Sequence, residues 1–151
     1  MSVRRELSGG FELDDDPLRI DVDAVHAFIS TESYWGLGRA REPVARAVTG
    51  STRVLGLYRD GHQVGFARAI SDGVTLAYLA DVYVLAPYRG RGLGFELVRE
   101  LVENSFGEVR WMLNTADAQG LYTKLGFSEG KPPYPLMERA PRRAPSADSR
   151  R

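Results

Sequence analysis

The sequence predicts a single α/β (α+β) domain built on a mixed sheet, mostly antiparallel with one central parallel strand pair, flanked by helices. Three observations predict it. Between residues 53 and 84, three apolar segments are separated by Asp60-Gly61 and Asp72-Gly73, dipeptides that favour tight hairpins, so three antiparallel strands follow one another. The last of these segments, ending Leu79-Ala-Asp-Val-Tyr-Val84, is nearly apolar on both faces, as a central strand should be. It turns at Pro87 into the glycine-rich run Arg89-Gly-Arg-Gly-Leu-Gly94, which opens an amphipathic helix, and a second apolar strand follows at Val109–Leu113. A right-handed crossover makes those two strands parallel.

Each element has its own warrant. Phe11–Leu13 suits a short first strand, closed by the acidic turn Asp14-Asp-Asp-Pro17. Asp21 is placed to cap a helix through Ser30, whose Val22, Val25, Phe28 and Ile29 recur at helical spacing; His26 lies off that stripe, on the surface. Ser30–Arg39 breaks the period with two adjacent aromatics, Tyr34 and Trp35, between glycines. A helix over about 42–49 follows, with Pro43 tolerated in its first turn. Strands are expected at 53–58, 63–70 and 75–84. In the helix from about Leu93 to Ser105, Leu97, Val98, Leu101 and Val102 form the buried stripe, while Glu96, Arg99, Glu100 and Glu103 face water. A short helix over 116–125, a strand after Gly126-Phe-Ser128 and a last strand around Leu136–Arg139, beyond Pro132–Pro135, complete the domain. The expected boundaries are a tail at 1–10, the domain at 11–140 and a disordered tail at 141–151, which has almost nothing to bury.

Composition excludes several classes of function. In 151 residues there are 20 basic and 20 acidic side chains, so no global field attracts nucleic acid or an anionic membrane. The absence of cysteine rules out disulfides, thiolate metal sites and a cysteine nucleophile, and two histidines are too few for a histidine-rich metal site. No metal is expected. Neither a signal-like apolar segment nor a run of the ~18 apolar residues needed for a span is present, and a cytoplasmic location is the expectation.

The glycine loop carries the clearest chemistry. A helix N-terminus offers unpaired N–H groups and a partial positive charge, which suit phosphate oxygens. Gly90, Gly92 and Gly94 remove side chains that would obstruct a ligand's approach, and Arg89 and Arg91 add positive charge. A pyrophosphate is the expected ligand. A Rossmann dinucleotide site fits less well, because the glycines read G-x-G-x-G and the antiparallel run before them is wrong for that fold.

Arg89-Gly-Arg-Gly-Leu-Gly94 resembles the Q/R-x-x-G-x-G/A loop of the GNAT superfamily of N-acetyltransferases, and Gly120-Leu-Tyr-Thr-Lys-Leu-Gly-Phe127 resembles its second hallmark, L-Y-x-K-x-G-F. The two stand in the family's order, separated by one helix and one strand, and the resemblance spans about residues 11–140. The stretch Ser33–Glu42 is similar to that of a bacterial subgroup of small members. The resemblance implies a GNAT fold with a splayed central parallel pair, acetyl-CoA as co-substrate, and an amine of a small molecule or peptide as acceptor. It implies that the backbone of Arg89, Gly90, Arg91, Gly92, Leu93 and Gly94 binds the coenzyme A pyrophosphate, that the pantetheine arm bonds to the strand backbone at Val82 and Val84, and that Tyr122 protonates the departing thiolate. A phenol with pKa near ~10 suits a thiolate whose conjugate acid is ~8.5 or somewhat higher. Many members carry asparagine after the second parallel strand; the matching position here is Thr115, with Asn114 one residue earlier, so one of the two takes that coenzyme contact. Tyr34 and Trp35 would line the acceptor pocket, and a homodimer is a common assembly in the family.

Transfer to an amine also needs that amine neutral. Asp81, a lone carboxylate in an apolar strand, is the candidate base or acceptor-orienting group. The alternatives are a structural pairing with an arginine such as Arg110, or a water chain in its place. A different class, an acyl-CoA-binding sensor without turnover, would keep the pyrophosphate loop and need no acid.

Overall fold

The computed structural model describes residues 2–130 and 136–142. One sheet contains β1 (Arg4–Leu7), β2 (Phe11–Asp14), β3 (Arg53–Arg59), β4 (His62–Ser71), β5 (Leu76–Val84) and β6 (Arg110–Met112), neighbours in sequence being neighbours in space. Every adjacent pair is antiparallel except β5 and β6, which are parallel, as the crossover argument requires. The β3–β4 hairpin turns at Asp60 (φ 52°) and Gly61 (φ 77°), the two positive angles that let a two-residue turn follow the strand twist.

Helices cover both faces. On one, α1 (Val22–Thr31) and α2 (Arg41–Gly50) bury Val25, Phe28, Ile29, Val44 and Val48 against Val54, Phe66 and Tyr83 of the sheet. On the other, α3 (Leu93–Asn104) packs Leu93, Leu97, Val98 and Leu101 against Leu13, Leu55, Leu57 and Leu79, and Tyr122 of α4 (Gln119–Thr123) completes that core. Neighbouring residues of β3, Val54 and Leu55, thus enter different cores, the period-2 alternation of a strand buried on both sides. Asp21 caps α1 as expected, accepting the Ala24 N–H at 3.0 Å.

Several local expectations are corrected. Arg4–Leu7, assigned above to a tail, pairs with β2 across a turn containing Gly9 and Gly10, both at positive φ. Leu7 packs against the α3-side core, and ion pairs tie the rest of the strand: Arg4 with Glu12 at 2.8 Å, and Arg5 with Glu96 at 3.3 Å and Glu100 at 3.5 Å. Glu100 does not face water. It is buried, with Arg53 at 3.1 Å, and Arg53 also meets Asp15 at 3.2 Å, so the charge is compensated where it is desolvated. His26 is half-buried, its Nε2 2.9 Å from the Arg39 carbonyl. The helix expected at 116–125 is shorter, because Thr115 Oγ1 accepts the Ala118 N–H at 3.1 Å and holds residues 115–118 in a turn. Among the described residues no strand follows Gly126; Phe127 instead packs edge-on against Tyr122, with ring centres 5.8 Å apart. Nor is Leu136–Arg139 a strand: Leu136 and Met137 are exposed and no core holds them. The proline-rich segment 132–135 and most of the expected C-terminal tail lie outside the described residues.

Three buried tyrosines set an alkaline limit on this fold. Burial raises the phenol of Tyr58, and raises those of Tyr83 and Tyr122 to about 12. A folded-state pKa above the unfolded value near ~10 stabilises the fold fully below pH ~10, and that contribution is lost as pH rises through the folded-state value. Urea-unfolding midpoints should therefore hold steady to about pH 10 and then fall, with tyrosinate absorbance from these three rings appearing only as the protein unfolds. Their ionisation at pH 10 in a fully folded protein would contradict this.

Candidate active site

Pairing between β5 and β6 covers only Leu76–Tyr78 and Arg110–Met112. Beyond Tyr78 the two chains part, and a cleft of about 560 Å³ opens between Leu79–Val82 and Leu113–Ala118. This is the splay that the resemblance implied. Tyr122 lines it too: its ring belongs to the α3-side core, while its hydroxyl has no hydrogen-bond partner among the described residues.

β5 is irregular at the cleft. Phe66 pairs with Tyr83 and Arg68 with Ala80, so Asp81 and Val82 together stand opposite Ala67 alone. Asp81 has φ 53°, the left-handed region that aspartate tolerates better than most side chains. The extra residue reverses the alternation: Leu79 faces the α3 side before it and Val84 after it, although their positions differ in parity. The Asp81 carboxylate meets Arg68 Nε at 2.8 Å through one oxygen and Trp35 Nε1 at 2.8 Å through the other, with Arg39 Nη1 at 3.8 Å. Its partners are therefore Arg68, Trp35 and Arg39, not Arg110.

The loop between α1 and α2 straddles the opening. Ser33 is buried, donating to the Ile29 carbonyl at 2.7 Å and accepting the Gly36 N–H at 3.0 Å. A Cβ at Gly36 would collide with Ile29 Cγ2, so glycine is required at this close approach. The turn projects Trp35 toward β5 and Tyr34 toward the segment after β6, where the Tyr34 hydroxyl accepts the Ala116 N–H at 2.9 Å. The rings meet edge to face, 5.0 Å between centres, and both line the cleft.

The glycine loop lies at the end of β5. Gly90 (φ 79°) and Gly92 (φ 77°) are left-handed, and a Cβ at either would meet nothing within 4 Å. Gly92 is the N-cap of α3. Among the described residues, no hydrogen bond engages the backbone N–H groups of Gly90, Arg91, Gly92, Leu93, Gly94 or Phe95. Arg89 does not point its Nε into this space; it donates to the Val84 carbonyl at 2.8 Å, bracing the turn. A groove of about 730 Å³ continues from Arg91–Leu93, carrying Arg5, Arg99 and Lys124 beside Glu6 and Glu96.

Of the remaining candidates, Val82 lines the cleft, and the Val84 side chain is buried in the α3-side core. Asn114 donates to the Tyr78 hydroxyl at 3.0 Å, Thr115 is occupied by Ala118, and both line the cleft. Arg39, Arg68 and Tyr78 also line it and were missed. Arg68 had a readable signal, a charge within the apolar run Val64–Ile70. Arg39 had none, since a loop arginine is ordinary. No cluster of three or more metal-ligating side chains occurs among the described residues.

The Acetyltransferase (GNAT) family pattern matches residues 22–127. A Gibberella zeae protein named "Putative acetyltransferase" is 30% identical over 143 residues, covering 80% of this chain and 81% of its own. A crystal structure from Xanthomonas campestris pv. campestris, described in the same words and assigned to the GNAT family, is 36% identical with a TM-score of 0.81, covering 86% of this chain and 92% of its own. A Deinococcus radiodurans structure shares the fold at 20% identity and a TM-score of 0.69, over 91% and 94% of the two chains. Loop, splay, fold and relatives agree: the chain belongs to the GNAT family of acetyltransferases.

Proposed function

We propose that this chain is an acetyl-CoA-dependent N-acetyltransferase, passing the acetyl group directly to an amine of a small molecule or peptide. The observation that carries the reading is that one strand, β5, lines the splay with Leu79–Val82 and leads into the loop whose N–H groups at the α3 N-terminus are unbonded, with the Tyr122 hydroxyl lining the same splay. The residues fit coenzyme A. Open space above Gly90 and Gly92 admits a pyrophosphate to the N–H groups, and the groove with Arg5, Arg91, Arg99 and Lys124 suits further phosphate charge.

The bound thioester supplies an electrophilic carbonyl carbon and a thiolate leaving group. The chain's part is to hold and orient it: Val82 and its neighbours along β5, with Asn114 and Thr115 across the gap, flank the arm. Backbone N–H groups freed from strand pairing in the splay polarise the carbonyl. Tyr122 donates to the sulfur as the carbon–sulfur bond breaks. Its phenol, raised to about 12 chiefly by burial and then by Tyr34 and Asp117, is a weaker acid than an exposed one. The same burial raises a departing thiol, so the proton remains matched to its destination. Asp81 is better suited to positioning than to taking a proton, because both its oxygens already accept hydrogen bonds. The acceptor's proton then leaves through water.

Tyr122→Phe should lower kcat by about 10²-fold or more, with little change in coenzyme binding, measured as thiol released from acetyl-CoA against a panel of amines. Coenzyme binding without thiol release from any acceptor would instead favour an acyl-CoA sensor. Because burial raises the Tyr122 phenol to about 12, kcat/KM should rise with pH as the acceptor amine deprotonates and show no falling limb below pH 10. A limb near pH 8 that disappears in Tyr122→Phe would reject that assignment. Gly92→Glu puts a side chain on a left-handed backbone and a negative charge beside the N–H groups, so coenzyme A affinity should drop by at least about tenfold in calorimetry. Unchanged affinity would remove the pyrophosphate from this loop.

A further inference from the structure

The cleft wall made by the α1–α2 loop and β4 carries more positive charge than its ion pairs consume. Arg39, Arg68 and Asp81 form one cluster of two guanidinium groups around a single carboxylate. Asp117, the other carboxylate lining the cleft, lies on an exposed segment after β6 and pairs with neither arginine. Asp81 is satisfied by Arg68 Nε and Trp35 Nε1, both at 2.8 Å. Arg39 approaches it only to 3.8 Å, and its other contact is Nη2 to the Trp35 carbonyl at 3.5 Å. A guanidinium has five N–H donors. Arg68 adds only Ser51 Oγ at 3.4 Å to its bond with Asp81. Donors on both groups therefore remain for a ligand.

Arg39 is also held in place. Its backbone N–H donates to the Gly36 carbonyl at 3.0 Å, and its own carbonyl lies 2.9 Å from His26 Nε2. Its side chain is 35% exposed against 13% for Arg68, so Arg39 is the more accessible of the two. We propose that the acceptor bears an oxyanion, a carboxylate or a phosphate, alongside its amine, and that Arg39 with Arg68 binds that group. Planar donor pairs of this kind suit both oxyanions. A polycationic acceptor would instead meet like charge.

The inference rests on the acetyl-transfer reading of the same cleft. In the transfer an N–C bond forms and the C–S bond breaks; the nitrogen loses one proton to water, the sulfur gains one from Tyr122, and Tyr122 regains its proton from water. The oxyanion is unchanged and serves only to orient the amine.

The test uses matched acceptors with and without the anion: alanine against ethylamine, phenylalanine against phenethylamine, and phosphoethanolamine against ethanolamine. Thiol release from acetyl-CoA should favour at least one anionic member by about tenfold or more in kcat/KM, and the favoured pair tells carboxylate from phosphate. Arg39→Gln should bring that ratio toward one through KM for the anionic member, and Arg39→Lys should retain part of it. Because the ratio is internal to each variant, partial misfolding does not mimic the result. Equal use of both members, preference for the uncharged amine, or a ratio unmoved by Arg39→Gln would overturn the proposal. If no acceptor releases thiol, calorimetry of the same compounds with coenzyme A present separates the two readings. Binding of an anionic member lost in Arg39→Gln would support the oxyanion site while rejecting acetyl transfer, and no binding would reject both.

Discussion

Parallel pairing between β5 and β6 stops at Tyr78 and Met112, and the cleft exists because it stops. A sheet that ran on would bury this opening and leave no room for a ligand between its strands. Separation leaves backbone polar groups without strand partners, and such groups are costly unless something else satisfies them. Side chains meet part of that need. Tyr34 accepts the Ala116 N–H and Thr115 the Ala118 N–H, while Asn114 joins Tyr78 side chain to side chain across the gap. The opening is thus a built feature with two braced edges.

The bulge at Asp81 settles what each edge presents. By inserting one residue, it exchanges the faces of β5 beyond that point and turns a carboxylate toward Arg68 and Trp35. The left-handed backbone there costs on the order of 1–3 kcal/mol. Two charge-assisted hydrogen bonds of about 1.5–3 kcal/mol each are sufficient to hold it. One side chain therefore joins β5, β4 and the loop after α1. The GNAT family fold supplies the scaffold, and the local chemistry of the acceptor side hangs on this one junction.

Much of this was legible in the sequence, and what was not has physical causes. The glycine loop, the strand before it and Tyr122 were readable because each combines a motif with a matching local structure. The hairpins were readable because Asp-Gly demands particular backbone angles. β1 escaped because Arg4-Arg5-Glu6-Leu7 has no apolar alternation; Leu7 alone reaches the core, and Arg5 pairs with acids of α3 far along the chain. Glu100 was misassigned for the same reason, since helical periodicity cannot reveal a buried ion pair. A bulge leaves no local signature either, so Asp81 could be singled out while its partners could not. The expected strands near the C-terminal end failed because a few apolar residues without a facing core do not make a strand.

The tether between Arg5 and α3 also bears on the order of assembly. Arg5 and Glu96 are separated by 91 residues, and β1 otherwise pairs only with β2. Bringing such distant partners together carries the entropy of closing a long loop, so this contact forms only after α3 has folded onto the sheet. β1 is an edge strand of the sheet, with β2 as its one strand partner. Because it walls the basic groove beside the glycine loop, local unfolding there would open that groove at the cost of Leu7 to the α3-side core.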